Sequence, residues 1–284
     1  MSIGILALLD DIAILADDAA VMTKISIQKT AGILGDDLAV NAEKASGFDS
    51  SREIPVLWKI TKGALLNKII ILPFAFLLSY FAPAWVIPTI LVFGGFYLAF
   101  EGTEKIHEFL EHKIMGKKHD KDLEIKLSEK EKIKSAVFTD FILSIEIIIL
   151  SLSTVLEKSL AIQIIVVTIV AIIATFGVYG IVAMLIRIDD AGFYLQNKKN
   201  KISKKIGGFL IKSLPIIIKT LSIIGTWAML LVAGGIFTHN ISFFHHIYEL
   251  VNYIPAIIFD TILGFIAGYI LVIIFFIGKK VLKK

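Results

Sequence analysis

The run IIILPFAFLLSYFAPAWVIPTILVFGGFYLAF at residues 69–100 and the run SLAIQIIVVTIVAIIATFGVYGIVAMLI at 159–186 contain no Asp, Glu, Lys or Arg. A helix crosses a bilayer core with about 20 apolar residues, so each run exceeds what a soluble helix carries. These two stretches make the chain an integral membrane protein. The whole composition agrees: of 284 residues 56% are hydrophobic, and the mean hydropathy is +0.82. An average soluble domain is about 45–50% apolar even with glycine counted. The expected fold is all-α: a polytopic integral membrane helix bundle of about six transmembrane helices, preceded by amphipathic N-terminal helices.

Working outward, Pro83 divides 69–100, with Tyr80 and Trp85 as interfacial anchors. Spans are then expected at about 65–82, 85–100, 135–156, 159–186, 214–237 and 254–278, with a charged cytoplasmic loop at 101–134. One long tilted helix over 69–100 is the rival. The organisation reads as an acidic amphipathic region at 1–63 and a membrane domain at 64–284. Segments 101–134, 187–213 and 279–284 are lysine-rich, whereas 83–84, 157–158 and 238–253 hold one lysine, Lys158. By the positive-inside rule this alternation fits six spans with both termini cytoplasmic, in the inner membrane if the cell is bacterial.

The composition also narrows the chemistry. The net charge of +4 is small and its lysines are spread through loops, so nucleic acid is not an expected partner. The absence of cysteine removes disulfides, thiolate metal sites and cysteine nucleophiles. Asp10, Asp11, Asp17 and Asp18 interrupt the first apolar stretch, which argues against a secretory signal. No phosphate-binding loop, zinc-protease motif, nucleophile elbow or dinucleotide fingerprint is present, so neither an enzyme nor a cofactor is expected.

The informative residues are acids inside the apolar spans. Each costs about 2.5–3.5 kcal/mol to insert, so such residues face a cavity or a partner. Asp140, Glu146 and Asp260 fall in spans, with Lys219 as a candidate counter-ion. At 100° per residue, Thr139, Glu146 and Ser153 form one stripe of the third span. Asp140, Ser144, Ser151 and Thr154 form a second beside it. Two adjoining polar stripes fit a polar pathway or an ion site; the alternative is that these groups pair with one another and lock the bundle. Asp140 and Glu146 lie about 120° and 9 Å apart on one helix, so a shared metal ion needs ligands from elsewhere. The same spacing recurs in Asp11-x5-Asp17 and Asp37-x5-Glu43, and acidic motifs repeated in a transporter mark a shared site. Interfacial amphipathic helices are the other reading of these N-terminal acids.

Thinner candidates are His245 and Glu249 beside His246, a metal site or more commonly a solvated loop, and the face of Glu104, His107, Glu108, Glu111 and His112, whose i,i+4 spacings suit a cation but read first as an exposed helix face. Gly264 and Gly268, on one face with Asp260, point to close helix packing. Residues 203–213 read as an interfacial stretch feeding the fifth span.

LLDDIAILADDAA, KTAGILGDDLAVNAEKASGF, SREIPVLWKITKGALLNK, AFEGTEK, TDFILSIEI and RIDDAG together resemble the YedI family of bacterial inner-membrane proteins over nearly the whole chain. That resemblance implies a polytopic inner-membrane protein and no established biochemical activity. GGFYLAFEGTEKIHEFLEHK followed by AVFTDFILSIEIIILSLSTV, within 94–155, is similar to the central part of TerC-type membrane proteins. That second likeness implies divalent-metal export, notably of manganese, with Asp140 and Glu146 as ligands. It departs from the pattern where Glu146-Ile147 replaces an aspartate often followed by a polar residue.

The expected function is a secondary transporter or exporter of a small, divalent cation. Asp140 and Glu146 would be ligands, joined by Asp260 and the N-terminal acids Asp11, Asp17, Asp37 or Glu43, since hard cations prefer oxygen. The alternative is a structural or stress-related membrane protein that docks a cytoplasmic partner through 101–134. The bilayer is the expected partner in both, and homo-oligomerisation is left open.

Overall fold

A computed structural model describes residues 2–45, 50–115, 128–198, 200–251 and 253–282. The described residues form helices and no strand: α1 (Ser2–Ala45), α2 (Ser50–Phe81), α3 (Val86–Met115), α4 (Glu129–Ser153), α5 (Leu160–Gln196), α6 (Lys201–Asn240), α7 (Ser242–Leu250) and α8 (Ala256–Leu282). Six of them, α2 to α6 and α8, are long and apolar enough to cross a membrane. The protein is a multi-pass membrane protein of helices.

Local chemistry sets where these helices begin and break. Residues 69–100 form two helices, because Pro83 lacks the N–H that would continue α2; the Val86 N–H then bonds the Pro83 carbonyl at 2.9 Å. Ser128 and Glu131 make a reciprocal capping box that opens α4, and Ser159 caps α5. At the same end as the α4 start, Arg52 and Lys59 of α2 hold Glu129 at 2.8 and 3.0 Å. α2 runs unbroken through residues 63–64, so the expected boundary between an acidic region and a membrane domain falls inside one helix.

α1 runs lengthwise along the bundle, mostly exposed over residues 9–18 and mostly buried over 36–42. Near its start Asp18 lies 3.9 Å from Lys158, in the α4–α5 connection, and Ser26 donates to Ser151 near the end of α4. Towards its finish Leu38 and Ala42 pack among Ala136, Leu185 and Ile186, at the lysine-rich end. At 1.5 Å per residue α1 is about 66 Å long, twice a bilayer core. Its Asp18 lies at the Lys158 end and its Ala42 at the lysine-rich end.

The core is divided. One apolar cluster, with Ile33, Ile71, Leu143, Ala174 and Met229, fills the half nearer Pro83 and Lys158. A second, with Leu38, Ala64, Ala136, Val178 and Leu185, fills the half nearer the lysine-rich connections. Between them lie Asp36 and Asp37 on α1, Asn67 and Lys68 on α2 and Asp140 on α4, all buried, and Tyr179 of the second cluster reaches Asp140 with its buried hydroxyl. A polar layer thus separates two greasy ones.

Candidate functional site

The polar layer is built by close helix approach. Gly225 of α6 faces α1 so tightly that a Cβ there would come within 2.7 Å of the Asp36 Cα, so α1 seats Asp36 only because that position lacks a side chain. On the facing wall, Gly264 abuts the Leu230 carbonyl and Gly268 the Ala99 carbonyl, which is the close packing expected of that pair.

Two ion pairs organise the layer. Lys68 of α2 lies 3.5 Å from Asp140 and donates to the Ser144 hydroxyl at 2.9 Å. Asp140 also accepts from the Asn67 amide at 2.9 Å, the Tyr179 hydroxyl at 3.0 Å and the Ser144 hydroxyl at 3.2 Å. Lys105 of α3 donates to both oxygens of Asp36 at 2.8 Å and lies 3.2 Å from Glu101. Asp37 accepts from Asn41 and feels the charges of Asp140, Lys68 and Asp36, so it stands between the two pairs. Charge burial of this kind is tolerated only when partners and hydrogen bonds replace water.

Glu146 is the exception. Both its carboxylate oxygens are buried with no hydrogen-bond partner among the described residues, and so is Glu101 Oε2. Glu146 sits in the field of Glu101, Asp36, Lys105 and Asp37. It lines a cavity of about 50 Å³ whose other walls are apolar, among them Ile33, Leu98, Ile145 and Ile149. Five acids (Asp36, Asp37, Glu101, Asp140 and Glu146) thus share Lys68 and Lys105, and the oxygens left over are those of Glu146 and Glu101.

The two stripes of α4 separate cleanly. Asp140, Ser144 and Ser151 make the interhelical bonds, while Glu146 and Ser153 line cavities. Other sequence candidates fall elsewhere. Lys219 is no counter-ion to these acids: it lies on the exposed side of α6 with its ammonium 5.6 Å from the Phe109 ring, and Lys68 and Lys105 take that role. Asp11 and Asp17 are exposed on the first part of α1, away from the layer. Asp260 accepts from Thr238 at 2.7 Å, where α8 starts beside the end of α6, and is not brought to Asp140 or Glu146. The Glu43 side chain lies outside the described residues, as do Glu108, Glu111, His112 and all of 116–127 in the charged loop. His245 and His246 flank Glu249 at 3.5 and 3.6 Å on α7, all exposed. Among the described residues no group of three or more His, Asp or Glu is gathered as a metal site. Asp140 and Glu146 do not share one environment, and each meets different helices.

Sequence reasoning missed Asp36, Asn67, Lys68, Glu101, Lys105 and Tyr179. The signal for two of them was visible: Asn67 and Lys68 interrupt LLNKIIIL just where an apolar run is under way.

These features define a class, the polytopic α-helical membrane proteins with a carboxylate–lysine layer buried inside the bundle. Within it, the chain belongs to the family described as Protein of unknown function (DUF808), which matches residues 3–275. YedI is of that family, so the family expected from the sequence is the one found. No curated protein and no solved structure matches the chain, and the TerC likeness over 94–155 is left without support.

Proposed function

We propose that the protein is a secondary transporter of a small cation, with Glu146 as the group that takes up and releases it. The observation that carries this reading is the trio of buried, unpartnered carboxylate oxygens on Glu146 and Glu101. Buried polar atoms nearly always have a partner, and an ionisable group inside a membrane bundle is functional by default. Lys105 supports the same reading, because its ammonium already lies between Asp36 and Glu101 as a tethered cation would. A mobile cation reaching Glu146 competes with Lys105 for these oxygens. That competition gives the site two arrangements of charge, which a carrier needs. Asp37, Asp140 and Lys68 hold the neighbouring helices in register while this happens.

The reading assigns no bond-making chemistry. It places the lysine-rich connections and the C-terminus in the cytoplasm, with an inner membrane as the site if the cell is bacterial. α1 lies along these spans, with Asp18 at the end near Lys158 and Ala42 among residues of the lysine-rich end.

Thermal unfolding of detergent-purified protein tests the site. Sodium, potassium, magnesium, calcium, manganese and zinc are titrated separately. A cation that binds the folded state raises the midpoint with concentration. The expected result is a rise with one class of cation that is absent in Glu146→Gln. An equal rise in both proteins, or no rise with any cation, contradicts the assignment.

A further inference from the structure

A second cavity, of about 500 Å³, adjoins the small one at Glu146, and the two share Leu91, Leu150 and Ile236 as wall residues. Those three come from α3, α4 and α6 and are all buried. The larger cavity is lined by the first residues of α3 (Pro88), the last of α4 (Ser153) and the last of α6 (His239, Asn240). It therefore lies at the end of the bundle near Pro83 and Lys158, away from the lysine-rich connections. Its volume falls in the range of ligand chambers, about 300–1,000 Å³. Lys29 is the charged residue on its wall, and no acid lines it among the described residues.

We infer that this cavity is the access chamber to Glu146, opening on the face opposite the lysine-rich connections, and that Leu91, Leu150 and Ile236 form the apolar gate between them. The inference rests on the reading of Glu146 as the cation site. A chamber without acids passes a cation without holding it, and an apolar constriction closes by excluding water. On its other side Glu146 is backed by the Lys105–Asp36–Glu101 group and the second apolar cluster. The structure is therefore closed towards the lysine-rich face and one thin partition away from the opposite face.

The absence of cysteine makes the test direct, since each introduced thiol is the sole target. Ser153→Cys places a thiol in the chamber. Gly94→Cys places one in the Glu146 cavity, where a Cβ meets open space within 4 Å. Lys134→Cys, on exposed α4 surface at the lysine-rich end, reports orientation. A membrane-impermeant methanethiosulfonate is applied to one face at a time in oriented vesicles. Ser153→Cys is expected to react from the face opposite to that of Lys134→Cys. Gly94→Cys is expected to react several-fold faster from that same opposite face once Leu150→Ala is added. Leu91→Ala repeats the comparison with a different gate residue and guards against misfolding of one variant. Reaction of Ser153→Cys from the lysine-rich face, or of Gly94→Cys equally fast with the gate intact, overturns the proposal. Labelling needs no flux, so the expected pattern without cation flux would sink the transport reading and leave the access route standing.

Discussion

Asp140 and Glu146 lie on the same helix, yet the regions around them are built on opposite principles. Around Asp140, Lys68, Asn67, Tyr179 and Ser144 converge from three helices and satisfy the carboxylate. Around Glu146 the nearest walls are Ile145, Ile149, Leu98 and Ile33, and neither oxygen has a partner among the described residues. A satisfied buried network rigidifies and fixes register, whereas an unsatisfied buried group is costly and persists where something else makes use of it. Chemically similar acids, six residues apart, thus differ in what surrounds them, and the proposed transport role rests on that difference.

The sharpest way to break this contrast is to remove one partner at Asp140. Lys68→Met leaves that carboxylate buried without its cation, and loss of one member of a buried pair costs about 3–5 kcal/mol. The expected outcome is a much lower yield of monodisperse protein and a lower unfolding midpoint. Lys68→Met combined with Asp140→Asn should recover part of that loss, because the orphaned charge is gone. A next, smaller effect is expected at the α1–α6 contact. Gly225→Val inserts side-chain atoms against the Asp36 backbone and should cost about 1–3 kcal/mol as overpacking. Its unfolding midpoint should fall, and Asp36 should lose its register with Lys105.

Two further changes sharpen the contrast without attacking the fold. Lys29→Glu replaces the cationic wall residue of the chamber with an acid. Cation flux through that face should increase at low ionic strength, and the gain should fade as salt shortens the screening length to about 3 Å near 1 M. Arg52→Ala removes an exposed, solvent-screened pair with Glu129 and should leave the unfolding midpoint nearly unchanged in the same thermal measurement.

What the sequence revealed follows the same division. Charge-free runs locate the crossing helices because hydropathy is a local property, and Pro83 marks the α2–α3 break because its missing N–H is local too. α1 escaped this treatment. Its acids Asp36 and Asp37 are buried by neighbours that the sequence does not place, so a helix studded with carboxylates reads equally as an interfacial element or as one lining a site. Pairing across helices is the least legible part. Lys219 and Lys105 are both lysines at the ends of apolar runs, and only the rotation and depth of α3 and α6 decide that Lys105 meets Asp36 while Lys219 lies over Phe109. The separation of Asp140 from Glu146 was legible as an angle on one helix, but which of them had partners was not.

The central claim is that Glu146 serves transport and not folding. The most direct test is cation flux into proteoliposomes, measured side by side for wild type and Glu146→Gln, with unfolding midpoints recorded on the same preparations. The account predicts selective flux in wild type, its loss in Glu146→Gln, and closely similar midpoints, since Glu146 has no hydrogen bond among the described residues to lose. Undiminished flux in Glu146→Gln, or a collapse of its stability matching that of Lys68→Met, contradicts it.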